Sequence, residues 1–178
     1  NEFHFFTPSD SVQDVTLFAK YTLRADEMFL NRMIGGTFEG SNDPDFREKE
    51  VLYLINEKPK RLQTVVQSYS SKSYRYVRYI GSKDSHCNIA EAAFYTPNDT
   101  ASLKGKVIGT PGCFQKDGSH EYTNVFDGDV TTSFDYVEPS GGWSGLDLGT
   151  PKQIGRIVYT PRSYDIYIRS GDSYELFY

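Results

Sequence analysis

The strongest candidate for chemistry in this sequence is the run Asp127-Gly128-Asp129 with Thr132 three residues on. A tight Asp-Gly-Asp turn holds carboxylate and main-chain carbonyl oxygens close together. Such hard oxygen donors suit Ca²⁺, which takes about six to eight of them at roughly 2.3–2.6 Å. The same residues would serve equally as a hydrogen-bonded turn without metal. A second candidate is Arg162, Tyr164 and Asp165, which follow a strand-like run in a Pro-containing loop. A sugar site needs an aromatic face for the apolar side of a pyranose and planar polar groups for adjacent hydroxyls. Tyr164 offers the face, Arg162 a rigid fork of donors and Asp165 an acceptor. The alternative is an ordinary surface loop.

Other chemistries lack their residues. There is no nucleophile elbow, no phosphate loop and no His-Glu-x-x-His. The three histidines are His4, His86 and His120, and His86 beside Cys87 is too little for zinc. No pair among the 24 acidic residues stands out for glycoside hydrolysis. The expectation is a protein that is not an enzyme. A net charge of −5 argues against nucleic acid, whose binding draws on basic side chains. The Lys58-Pro59-Lys60-Arg61 run reads as a solvated turn. No apolar run approaches the roughly 20 residues needed to cross a bilayer, so no membrane insertion is expected. Cys87 and Cys113 could form one disulfide or stay as two thiols. The chain starts at Asn1, with no signal peptide in view, which suggests a fragment of a longer, processed protein.

The elements that must position these residues read as strands. Aromatics are 15% of the chain, with 14 Tyr and 12 Phe against one Trp, and these types fit a pleated, half-buried surface. Strand-like runs fall at 15–23, 37–39, 51–55, 62–69, 74–80, 91–95, 106–108, 124–126, 145–148, 154–160 and 174–178. The clusters Gly40-Ser41-Asn42-Asp43-Pro44, Ser140-Gly141-Gly142 and Gly149-Thr150-Pro151 read as turns between them. The best helix candidate is 27–34, about two turns long. Residues 97–104 are polar and aperiodic. Short strands at this spacing predict a sandwich or barrel with at most one or two short helices.

The chain also echoes itself. Tyr21-Thr22-Leu23-Arg24 matches Tyr159-Thr160-Pro161-Arg162, and Gly35 with Phe38-Glu39 matches Gly171 with Tyr174-Glu175 at an offset two residues shorter. This looks like one supersecondary unit used twice.

The stretch from Asn124 through Val125-Phe126-Asp127-Gly128-Asp129 to Thr132-Ser133-Phe134 resembles the opening of the coagulation-factor type C, or discoidin, family. Trp143-Ser144-Gly145-Leu146-Asp147-Leu148-Gly149 resembles the next strand of that family. Phe38-Glu39-Gly40-Ser41-Asn42-Asp43 resembles its central hairpin, Tyr74-Arg75-Tyr76-Val77-Arg78-Tyr79 its penultimate strand, and Asn88 to Tyr95 its closing strand. The resemblance implies an all-β, galactose-binding-like β-sandwich, or jelly roll. It implies a structural calcium at Asp127, Asp129 and Thr132, joined by Glu91, and a shallow glycan site in loops at one end of the sandwich. It also implies that Trp143 and Phe134 are core residues. Tyr74, Tyr76, Arg75 and Arg78 read as cross-strand packing with a solvated face.

The family's closing elements precede its opening ones here. One arrangement is tandem: residues 1–97 end a first domain, 98–104 link, and 105–178 begin a second, truncated one. The other is a single circularly permuted sandwich. The function expected is a non-catalytic, low-affinity carbohydrate-binding accessory module of a larger bacterial glycan-processing protein, in contact with that protein's other domains. The expected location is secreted, periplasmic or at the cell surface. The other class in play is a structural or protein-interaction sandwich without a sugar site.

Overall fold

A computed structural model describes residues 27–60 and 63–163. The expected strands at 15–23 and 174–178, and Tyr164 and Asp165, lie outside the described residues. The order is α1 (Glu27–Arg32), β1 (Thr37–Ser41), β2 (Lys49–Leu54), β3 (Thr64–Gln67), β4 (Ser73–Ile80), β5 (Ile89–Tyr95), β6 (Lys106–Gly109), a 3₁₀ turn (Tyr122–Phe126), β7 (Trp143–Gln153) and β8 (Arg156–Pro161). All pairings are antiparallel. One sheet has the order β2-β1-β4-β7-β6 and the other β3-β8-β5, so the chain is an all-β sandwich.

The core follows from period-two alternation. In β5, Ala92 and Phe94 are buried while Glu91, Ala93 and Tyr95 are half-exposed, as alternate faces of a strand require. Phe38 of β1 meets Phe94 of β5 edge-on at 6.0 Å and Tyr159 of β8 at 5.3 Å, so aromatic rings join the two sheets. Each such ring contributes about 1.5–3 kcal/mol by leaving water. Phe134 is fully buried in this core. Trp143 is only half-buried, at the rim, 5.7 Å from Phe46.

Four expectations change. Strands from either side of residues 98–104 share both sheets: β4 pairs with β7, and β8 lies between β3 and β5. The two stretches are therefore one sandwich in the described residues, and 98–104 is a loop within it rather than a boundary. Residues 124–126 form part of a 3₁₀ turn, not a strand. Asn124 turns its Nδ2 back onto the carbonyls of Ser119 and Ser133, a local bond that competes with sheet pairing. Gly149-Thr150-Pro151 does not end a strand. β7 continues to Gln153, and the ladder against β4 jumps from Asp147 opposite Tyr76 to Lys152 opposite Tyr74. Finally, Arg78 is buried rather than solvated. β4 is central in its sheet, and Arg78 bonds Glu39 at 2.7 and 2.8 Å with its guanidinium 4.0 Å over the Phe46 ring. Cys87 and Cys113 are both buried free thiols.

Candidate functional site

The Asp-Gly-Asp turn hangs between two anchors. On one side Val125, in the 3₁₀ turn, is fully buried, and Ser144 donates a 2.7 Å bond to the Tyr122 carbonyl. On the other, Phe134 is fully buried and its amide bonds the Ile89 carbonyl at 2.8 Å. With both ends pinned to the core, the intervening residues must lie over the outer face of β5, where Glu91 projects.

Gly128 makes the close approach. Its φ of +86° is strained for any side chain, and its N–H donates to Glu91 Oε1 at 3.0 Å. The Asp129 amide donates to Asp127 Oδ1 at 2.7 Å. The Thr132 hydroxyl lies 2.8 Å from Asp127 Oδ2 and 3.0 Å from the Asp129 carbonyl, a hydrogen-bonded triad of oxygens. The Asp129 carboxylate turns the other way, accepting from the amide and hydroxyl of Thr131 at 2.8 and 2.6 Å. So Glu91, Asp127 and Thr132 converge, while Asp129 brings its carbonyl rather than its carboxylate.

Glu91 carries the electrical consequence. Its carboxyl is pushed up from 4.5 to about 8, first by burial and then by hydrogen-bonding contact with the Asp127 carboxyl. The Gly128 and Asp129 amides pull in the opposite direction but lose. Two carboxyls forced together without a cation hold a proton near neutral pH. Among the described residues no group of three or more His, Cys, Asp or Glu side chains gathers for a metal. The donors that do converge are all hard oxygens: two carboxylates, a hydroxyl and a carbonyl. That set fits Ca²⁺ and not zinc or copper. Glu91, Asp127, Thr132 and the Asp129 carbonyl would hold the ion, which would neutralise the paired carboxylates.

Arg162 sits differently from an open sugar-binding loop. Its Nη1 forms an ion pair with Asp135, both side chains being largely buried, and its guanidinium lies 4.7 Å over the Phe29 ring of α1. Asp135 also accepts from Asn88 Nδ2 at 2.7 Å, and Asn88 accepts from Arg32 Nη1 at 2.6 Å. This network ties α1, β5 and β8 together. Asp135, Asn88 and Arg32 carried no signal in the sequence, because each pairs with a residue far along the chain. Tyr164 and Asp165 lie outside the described residues. Comparison of the chain with protein-family models, curated proteins and solved structures finds no match.

Proposed function

We propose that this chain is a non-catalytic carbohydrate-binding module of a larger secreted or surface-exposed bacterial protein, braced by a structural calcium. The observation that carries the reading is the convergence of Glu91 on the Asp127 turn. It is the pairing that the discoidin resemblance implies, made by residues 36 apart in number within an all-β sandwich. Glu91, Asp127, Thr132 and the Asp129 carbonyl would hold the ion, whose role would be structural, tying the turn to β5. The Glu91 and Asp127 carboxyls are in hydrogen-bonding contact. Glycoside hydrolysis needs its two carboxyls at least about 5 Å apart, with sugar or water between them, so this pair suits a cation better than a reaction.

Sugar contact is assigned to Tyr164 and Asp165, which follow β8 in the sequence. Each hydroxyl contact replaces one already made to water, a net gain of only about 0.5–1.5 kcal/mol. Affinity is therefore expected between micromolar and millimolar, roughly −8 to −4 kcal/mol. The test is a glycan array probed with the chain in millimolar Ca²⁺, followed by titration of any hit. Binding that Tyr164→Ala removes supports the reading; no glycan bound at any concentration up to millimolar refutes it.

One observation favours the structural or protein-interaction alternative. Arg162 Nη1 is engaged by Asp135, and the side chain is largely buried rather than displayed to a ligand. If Tyr164→Ala and the wild type are alike toward every glycan, the network around Asp135 is a brace and the alternative stands.

A further inference from the structure

The sandwich carries a polar cleft away from the calcium turn. It opens where β1 ends and β4 begins, between the 42–48 turn that joins β1 to β2 and the 68–72 loop that leads into β4. The Asp127 turn is pinned through Ile89 and lies at the other end, where β4 has ended and β5 begins. The cleft has a volume of about 400 Å³, in the range of small-molecule sites. Asn42, Glu48, Glu50, Lys72 and Tyr74 are among its walls.

Both walls are fixed by their own hydrogen bonds. Asn42 clamps the 42–48 turn to β4: its Nδ2 donates to the Ser73 carbonyl at 3.0 Å, and its Oδ1 accepts from the Arg75 amide at 2.9 Å. Ser41 Oγ bonds the Asp43 and Glu48 carbonyls across that turn. On the other wall, Ser70 Oγ lies 2.7 Å from the hydroxyl of the buried Tyr74, and the Ser70 carbonyl accepts from Gln153 Nε2 at 3.1 Å. Walls held in this way lose little freedom when a ligand arrives.

The groups these walls present are those a sugar needs. Lys72 Nζ and Glu50 Oε2 stand 2.8 Å apart, a donor beside an acceptor, and both side chains reach solvent. Hydrogen bonds from Lys72, Ser70 and Tyr74 hold the Glu50 carboxyl down to about 2, so it is an acceptor at neutral pH. Adjacent ring hydroxyls match such a pair, one donating to the carboxylate and the next accepting from the ammonium. Tyr69, next to Ser70 on the same loop, is 92% exposed. A ring so exposed stabilises the fold little, and it offers an aromatic face for the apolar side of a pyranose. The cleft also has a sign. Asp43, Glu48 and Glu50 outnumber Lys49 and Lys72 in its walls. Asp43 pairs with Arg47 and Glu50 with Lys72, whereas among the described residues no ion pair engages Glu48.

We propose that this cleft is a carbohydrate site that uses neither Tyr164 nor Asp165 and takes a glycan bearing amino groups. A pyranose stacks on Tyr69, sets adjacent hydroxyls on Glu50 and Lys72, and pairs a ring ammonium with Glu48. An acidic glycan is repelled by the same carboxylates. The site stands whether or not the loop after β8 binds sugar.

The test titrates the whole, isotope-labelled chain in chelator at about pH 6, where sugar amines are protonated, and follows its amides by nuclear magnetic resonance. The probes are the glucosamine tetramer, cellotetraose, which has hydroxyls in place of the amines, and tetragalacturonic acid. The amides of residues 48–50 and 69–72 should shift with the first two. The glucosamine tetramer should bind about two- to fivefold more tightly than cellotetraose, the gain from one exposed ion pair, and the acid should not bind. Tyr69→Ala should weaken both ligands at least about tenfold. Glu48→Gln should bring the glucosamine tetramer level with cellotetraose, and Tyr164→Ala should change neither. No shifts at these amides up to about 10 mM ligand overturns the proposal. So does undiminished binding to Tyr69→Ala, which marks a general attraction between a cation and an acidic chain, and so does a preference for the amine that survives Glu48→Gln. Binding lost in Tyr164→Ala but kept in Tyr69→Ala overturns this site and supports the one after β8.

Discussion

Removing the charge of Glu91 should flatten the pH dependence of stability. The folded carboxyl titrates at about 8 against an ordinary value of 4.5, because burial and the Asp127 carboxyl disfavour its ionised form. Between those values the folded protein holds a proton that the unfolded chain releases. Stability must then fall as pH rises through that window, and level off above it. At about 1.4 kcal/mol per unit the full gap would amount to roughly 5 kcal/mol. The carboxyl is only half-buried, so solvent screening leaves about 1–2 kcal/mol. Glu91→Gln keeps the shape of the protonated side chain without the charge. In chelator, urea denaturation near pH 5, 7 and 9 should show the wild type losing about 1–2 kcal/mol more than the variant across the range. Millimolar Ca²⁺ should restore the wild type at the alkaline end and leave Glu91→Gln little changed, since the ion replaces the proton between the carboxylates. Equal slopes for the two proteins in chelator would refute the account of Glu91. Equal calcium responses would refute its role as a ligand.

Other expectations follow from single contacts. Arg162→Ala leaves Asp135 as an uncompensated, largely buried charge and should cost about 3 kcal/mol in urea denaturation, whether or not glycan is present. Phe38→Ala removes a fully buried ring that touches both sheets and should cost about 3–5 kcal/mol by the same measurement. Asp127→Asn should abolish any calcium-dependent rise in Tm while leaving the far-ultraviolet circular dichroism of the sandwich unchanged, because the turn lies outside the core.

Much of the architecture was legible because alternation in a half-buried strand is local. Phe94 and Ala92 point inward and Glu91 outward whatever their partners, so β5 could be read from its own residues, as could β1, β4 and β8. The stretch 124–126 could not. Val125 and Phe126 have strand propensity, but one buried valine and an asparagine bonded to nearby carbonyls make a tight turn instead. Partnership was the least legible property. Arg162 follows a strand-like run in a Pro-containing loop, and nothing local names its ion-pair partner Asp135, 27 positions away. Glu91 was linked to Asp127 only through a family resemblance, since nothing in either local sequence names the other. The interleaving of the two stretches around 98–104 was hidden for the same reason: a polar, aperiodic run looks alike whether it crosses a sandwich or separates two.

The place of β8 in its sheet has a consequence for synthesis of the protein. Among the described residues β3 and β5 do not pair with each other, and β8 is the strand that pairs with both. As the chain leaves the ribosome, both strands are therefore complete long before the strand that joins them. More than 60 residues separate Tyr95 from the end of β8, and at about 5–20 residues per second their translation takes several seconds. Throughout that interval β3 and β5 lack the strand that hydrogen-bonds to both, and Phe38 of β1 has Phe94 but not Tyr159 to pack against. The second sheet is a late event that a single short segment completes. A nascent chain stalled before residue 156 should be far more prone to aggregation than one stalled after residue 163.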